Sequence, residues 1–213
     1  TYMLAGKMRH KDSVGNEGVI EAGGIQWMNA GKGIIHEEMP EQQEGLLQGF
    51  QLWVNLPAAE KMSSPNYQDI PPLTVPTVNM GDASIKVLAG VLGDTVGPVK
   101  TTAVAPTFID VTLHKGSVTI PIQQSHVGFI YMYEGAVVLN DGENKTALGA
   151  LELGVLSDEG KLLDITASDN AKFIVVTGKP INEPIVQYGP FVMNTQSEIV
   201  QAFNDYQNGT LTA

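Results

Sequence analysis

Short apolar runs separated by glycine-rich breaks fill residues 1 to about 56, the breaks falling at Asp12-Ser13-Val14-Gly15-Asn16, Ala22-Gly23-Gly24 and Asn29-Ala30-Gly31-Lys32-Gly33. Short strands at that spacing point to a sandwich or barrel. From Gly49 to Leu56 the alternation is regular, with Phe50, Leu52, Val54 and Leu56 on one face, which predicts a half-buried strand. Residues 57–80 carry Pro57, Pro65, Pro71, Pro72 and Pro76 and little alternation, so they predict a long irregular connection that covers something or links two lobes. Strand pattern resumes at Ile85–Val91 and, beyond a Gly, Pro and Thr stretch, at Phe108–Leu113, about where a second β lobe is expected to begin. Within it, Gly128–Leu139 reads as two strands about a tight turn and Ala171–Gly178 as another strand.

The chain ends on a predicted helix. Thr195-Gln196-Ser197-Glu198 fits a capping box, in which the Thr hydroxyl accepts from the amide three residues on and the Glu reaches back to the cap amide. Ile199, Ala202, Phe203 and Tyr206 then form one apolar stripe, and Gly209 stands where the helix should stop. The fold class expected is all-β, with two barrel-like lobes and a short C-terminal α-helix. The boundaries expected are an N-terminal lobe over 1–100, a C-terminal lobe over 101–180, and a closing segment over 181–213 whose helix packs on the lobes. Tyr2-Met3-Leu4-Ala5-Gly6 echoes Tyr131-Met132-Tyr133-Glu134-Gly135, which suggests an internal duplication.

Composition narrows the chemistry. The chain has 213 residues and 43% apolar content, enough to bury one large core or two modest ones. No stretch approaches the roughly 18 uninterrupted apolar residues of a membrane helix, and the opening residues do not read as a signal peptide, so the expected location is the cytoplasm. Without cysteine there are no disulfides and no thiolates, so any metal must be held by His and carboxylate. The 12 Lys and Arg against 23 Asp and Glu leave a net charge of −11, which disfavours direct contact with nucleic acid. The densest basic run, Lys7, Arg9 and Lys11, reads as a solvated strand end. The sequence begins without Met on what looks like the last half of a strand, which predicts a chain whose front has been removed.

The segment Gly31-Lys32-Gly33-Ile34-Ile35-His36-Glu37-Glu38-Met39-Pro40 carries the most information about chemistry. On a strand over 34–39, His36 and Glu38 share one face, while Ile35, Glu37 and Met39 share the other. An imidazole and a carboxylate so placed can bind one metal ion, and the same pair can equally form a surface hydrogen bond. Nitrogen and oxygen donors suit Fe(II), Mn(II), Ni(II) or Zn(II), and the pair alone does not choose among them. His10 either lines the mouth of the first lobe or, as favoured, is a solvated strand-end residue; His114 is expected to be a turn residue without a ligand partner, and His126 a structural or vestigial group. The glycines at 23–24 and 31–33 are turn residues, since the chain has no Gly-x-x-x-x-Gly-Lys-Ser/Thr pattern, and Asp158-Glu159 reads as a solvated turn.

Three segments then carry a resemblance. Ile20 through Pro40, Gln51-Leu52-Trp53-Val54-Asn55-Leu56-Pro57 and Pro184 through Thr195 resemble the corresponding stretches of the pirins, a branch of the cupin superfamily. The resemblance implies a bicupin of two β-barrel or jelly-roll lobes, the first binding a single iron and the second usually without metal. It implies three His and one Glu as iron ligands. His36 and Glu38 match the His and Glu of the later motif, and the other two belong to a His-x-His expected just before Thr1. With that pair missing, metal is expected to be held weakly or not at all, and the shortened first strand is expected to leave an edge open to self-association.

The activity implied is that of a quercetin 2,3-dioxygenase, an Fe(II)-dependent enzyme that opens the ring of a flavonol, impaired in this chain. Glu38 would be both ligand and catalytic proton acceptor and His36 a ligand only. Pirins are also associated with transcription regulators and metabolic enzymes. The alternative is therefore a metal-containing regulatory protein whose acidic surface meets a protein partner. A third reading is a storage-type or inactive cupin. The ligand is thus a small aromatic, flavonol-like molecule or a protein, with no direct nucleic acid and no membrane.

Overall fold

A computed structural model describes residues 1–41, 44–100, 104–157 and 159–212. The chain is built almost wholly of short antiparallel strands and divides into two compact units, residues 1–74 with 181–213, and residues 75–180. Among the described residues no helix is long and apolar enough to cross a membrane.

In the first unit a four-stranded sheet has the order Gln48–Phe50, Tyr2–Ala5, Ile25–Asn29, Asn66–Ile70, and a three-stranded sheet has the order Glu17–Glu21, Lys7–Asp12, His36–Pro40. Strand Tyr2–Ala5 passes into Lys7–Asp12 through Gly6, whose φ of 80° lies in the left-handed region that a side chain would make costly. The chain thereby leaves one sheet and enters the other. Asp12 ends the second strand by accepting from the backbone amides of Val14 and Asn16 and from the Asn16 side chain, which shapes the turn into Glu17–Glu21. Burial disfavours its charge, but the Asn16 side chain and the Asn16 and Val14 amides outweigh that cost and hold the carboxyl below its ordinary range. On the outer face Lys7 pairs with Glu21, and Arg9 with Glu17 and Glu41, so the basic run is a solvated, ion-paired strand face as expected.

The second unit repeats this plan on a larger scale. A six-stranded sheet runs Leu153–Val155, Val127–Glu134, Ala171–Gly178, Thr107–Leu113, Ala83–Ala89, Thr77–Met80, and a four-stranded sheet runs Gly116–Pro121, Leu162–Ala167, Ala136–Asp141, Asn144–Gly149. Gly135, with φ of 74°, again carries the chain from the larger sheet to the smaller, and a Cβ there would lie 2.4 Å from the Asn170 carbonyl oxygen. The two glycines of the sequence echo therefore occupy the same bend. The strands either side of Gly135 belong to different sheets and do not pair with each other. The faces turned inward are apolar throughout: Ile85, Val87, Ile109, Val111, Leu113, Ile130, Met132, Phe173 and Val175 from one sheet meet Val118, Ile120, Val137, Leu148, Leu163 and Ile165 from the other. Each such side chain contributes about 1.5–3 kcal/mol on burial.

Several expectations are corrected. The second unit begins near Val75 rather than 101, because Thr77–Met80 and Ala83–Ala89 complete the sheet of Thr107–Leu113. The proline-rich stretch is not irregular throughout: it holds a helical turn Ala58–Lys61, the strand Asn66–Ile70 and a 3-10 turn Pro72–Thr74. Proline starts these elements instead of preventing them, since it occupies first turns and strand flanks at no hydrogen-bond cost. The alternating segment 49–56 is a strand only over Gln48–Phe50, though Leu52, Val54 and Leu56 are still more sheltered than Gln51 and Trp53. The opening strand Tyr2–Ala5 has a neighbour on each side, Gln48–Phe50 and Ile25–Asn29, so it is not the open edge anticipated.

The C-terminal helix forms over Gln196–Gln207 with its full capping box at Thr195 and Glu198. It ends in a Schellman motif, Gly209 N–H donating to Tyr206 O and Thr210 N–H to Asp205 O, with Gly209 at φ of 70°. Ile199 is buried, and Phe203 meets Tyr188 and Phe191 edge to face with centroids 5.2 and 5.1 Å apart. Tyr206 remains exposed. The segment is tied within the first unit by Lys61, whose buried ammonium donates to Asn55 Oδ1 at 2.7 Å and Val192 O at 3.0 Å, while burial lowers its pKa. Lys61→Ala takes a donor from Val192 O and leaves Asn55 Oδ1 with the Leu56 amide alone, so the urea midpoint should fall by an amount worth about 1–3 kcal/mol. An unchanged midpoint would show that this tie contributes nothing to stability.

Candidate functional site

The strand observed over His36–Pro40 is set in place by the turn before it. Gly31 N–H donates to Asn29 Oδ1, Lys32 N–H to Ser63 O and Gly33 N–H to Ala30 O, confirming these glycines as turn residues. The strand then pairs with Lys7–Asp12 in the register Asp12↔His36, Lys11↔Glu37, His10↔Glu38. Directly opposed residues of an antiparallel pair share a face. His10 and Asp12 are buried, at 3% and 8% exposure, so His36 and Glu38 belong to the inner face of the first unit. Its outer face carries Glu37 and Met39. His36 itself is exposed and Glu38 half-buried, so the interior is open at this end.

Both oxygens of Glu38 are engaged: Oε1 accepts from the Thr1 hydroxyl and Oε2 from the Gln51 side-chain amide, each at 2.8 Å. Gln51 Oε1 in turn accepts from the Trp53 indole N–H at 3.3 Å. Among the described residues the His36 ring has no such partner. Next to this pair lies a polar cluster that the sequence reading missed. His10, expected in solvent, leans over Gly18 and brings Nε2 to 3.6 Å from Asp69, which also accepts from Gln26. A Cβ at Gly18 would stand 2.5 Å from that nitrogen, so glycine makes room for the ring. The signal available in sequence was alternation: His10 and Asp12 fall on the same strand face as Met8.

The second unit carries apolar residues at the corresponding positions. Matching the bends at Gly6 and Gly135 and the shared registers, Leu139 stands where His10 does and Ile165 where Glu38 does, with Leu163 in the place of His36. Ile165 and Leu163 are buried in that unit's apolar core. His126 is buried there, its Nδ1 3.3 Å from Thr177 Oγ1, and burial lowers its pKa. His114 is exposed and sits 3.3 Å from Asn170. Of the acidic pair 158–159, Asp158 lies outside the described residues.

Sequence families agree with this geometry. The model of the pirin family matches residues 1–54, and that of the pirin C-terminal cupin domain matches residues 108–212. The chain belongs to the pirin family. Family members include a pirin-like protein of Caulobacter vibrioides, 45% identical over 98% of this chain and 75% of its own length. A Pseudomonas aeruginosa protein provisionally named quercetin 2,3-dioxygenase is 44% identical over 99% of this chain and 75% of its own. Among solved structures, the quercetin 2,3-dioxygenase of Acinetobacter baumannii superposes with a TM-score of 0.93 at 37% identity, covering 100% of this chain and 75% of that one. The architecture is accordingly the all-β two-lobed cupin fold with its C-terminal helix.

The family implies a metal, and the chemistry of the donor set is the test of fit. One imidazole and one carboxylate on one inward face suit a divalent ion of the first transition row. Among the described residues, no group of three or more His, Asp or Glu converges to hold one. The chain thus provides two donors of the right kind.

Two measurements follow. Gly18→Ala pushes the His10 ring out of its place and should lower the thermal midpoint while leaving the far-UV spectrum intact; retention of the wild-type midpoint would mean the ring has free space. For His126, a folded pKa below its ordinary 6.5 means that the unfolded chain takes up the proton first, so stability is full above about pH 6.5 and falls as the pH drops below it. The urea midpoint of the wild type should therefore decline more steeply between pH 7 and 5 than that of His126→Gln, and parallel curves would contradict the assignment.

Proposed function

We propose that the chain is a metal-dependent dioxygenase of the quercetin 2,3-dioxygenase type, with His36 and Glu38 as metal donors and Fe(II) as the ion. One observation carries the reading: the inner face that is packed with Leu163 and Ile165 in the second unit carries His36 and Glu38 in the first. A barrel built only for stability has no reason to put ionisable groups on an inward face, since burying them uncompensated costs free energy. The dioxygenase names of the relatives support the substrate class, a planar flavonol bearing vicinal oxygens.

Bound there, the ion would act as a Lewis acid toward the substrate oxygens and supply the redox chemistry by which molecular oxygen opens the ring. The residues of the chain have simpler tasks. His36 offers a ring nitrogen at the open end of the interior. Glu38 is held by Thr1 and Gln51 in one orientation, and it takes the substrate hydroxyl proton on a carboxylate oxygen. The half-exposed position of the pair leaves an approach from solvent.

Loss of quercetin absorbance together with oxygen uptake, measured with Fe(II) supplied, tests the assignment. His36→Ala should abolish turnover and Glu38→Gln should reduce it by a factor on the order of 100 or more, the usual scale for a lost proton acceptor. Full activity in either variant would remove the metal site from the mechanism.

A further inference from the structure

Glu38 is connected to the protein surface through one side chain. Gln51 Nε2 donates to Glu38 Oε2 at 2.8 Å, and Gln51 Oε1 accepts from Trp53 Nε1 at 3.3 Å. An amide can be turned either way, but an indole N–H only donates. Trp53 therefore obliges Gln51 to present its oxygen to the indole and its NH2 to the carboxylate. Thr1 holds the other carboxylate oxygen, so the plane of Glu38 is gripped from two sides. Gln51 and Trp53 lie two residues apart in a segment that has left the sheet at Phe50, and the indole–amide hydrogen bond links their side chains. Trp53 is 61% exposed, so this contact owes little to packing in a core.

We infer that Gln51 is a positioning residue for Glu38, and that the Trp53 indole sets the orientation in which it does so. The inference rests on the reading of Glu38 as a metal donor and adds to it the pair that holds the donor in place. Groups that orient a ligating carboxylate set metal affinity almost as strongly as the ligand itself, on the order of tenfold per contact. Trp53 acts on the site only through the amide, so removing it matters only while Gln51 is present.

The test begins on the chain without metal. Its two indole N–H resonances are resolved by proton–nitrogen NMR, and that of Trp53 is the one lost in Trp53→Phe. Glu38→Ala should shift this resonance, and Gln51→Met should abolish its response to Glu38→Ala. An indole signal indifferent to Glu38→Ala overturns the inference without any variant at Gln51 having to fold. Zn(II) is then titrated against the His36 ring resonances, since it is diamagnetic and accepts the same donors. Gln51→Met should weaken Zn(II) binding about tenfold, and the double variant with Trp53→Phe should be no weaker than Gln51→Met alone. Wild-type affinity in Gln51→Met, while His36→Ala loses Zn(II), overturns the positioning role and leaves the proposed function standing. Unchanged Zn(II) affinity in His36→Ala instead removes the metal reading, and the coupling between Glu38 and the Trp53 indole then decides the positioning role on its own.

Discussion

The antiparallel pairing of Lys7–Asp12 with His36–Pro40 is the constraint on which the rest of the first unit depends. It places His10 opposite Glu38 and Asp12 opposite His36, so that four polar side chains share one inward face. A slip of one residue would turn Glu37 and Met39 inward and send His36 and Glu38 to solvent. What prevents the slip is local: Asp12 closes the turn to Asn16, and the Asn29–Gly33 turn delivers the partner strand at one length only. The outer ion pairs of Lys7 and Arg9 accompany this register, but exposed pairs are worth little and do not determine it.

The two units show one plan put to two uses. Each has a strand that bends at a left-handed glycine from the larger sheet into the smaller, and each pairs the next strand with two neighbours in the same order. In the second unit the inward positions are aliphatic and aromatic, and the interior closes as a packed core. In the first unit the places of Leu139, Leu163 and Ile165 are taken by His10, His36 and Glu38, which need hydrogen-bond partners or solvent and cannot be close-packed. Asp12 meets this demand with backbone and side-chain donors, and Glu38 with Thr1 and Gln51. One interior is a packed apolar core and the other carries polar groups on its inward face.

Much of this was legible along the chain. The strand-and-glycine rhythm announced an all-β fold, the Thr195–Glu198 box and Gly209 bounded the helix to within a residue, and period-two alternation put His36 and Glu38 on one face. These features are local, decided by hydrogen bonds and backbone geometry within a few residues. The reading failed where partners are distant in sequence. Nothing near His10 in the chain shows Gly18 clearing space or Glu38 lying across the strand. The unit boundary was set too late because Ala83–Ala89 looks the same whichever sheet it joins.

The amino-acid sequence by itself therefore determined the family, the fold class, the terminal helix and the pairing of an imidazole with a carboxylate on one strand. Only the tertiary structure decided that this strand faces a polar interior, that His10 and Asp12 share it, and that Gln51, itself bonded to the Trp53 indole, reaches Glu38. The physical reason is that a strand's alternation defines two faces but does not say which is buried. That choice belongs to the sheet packed against it.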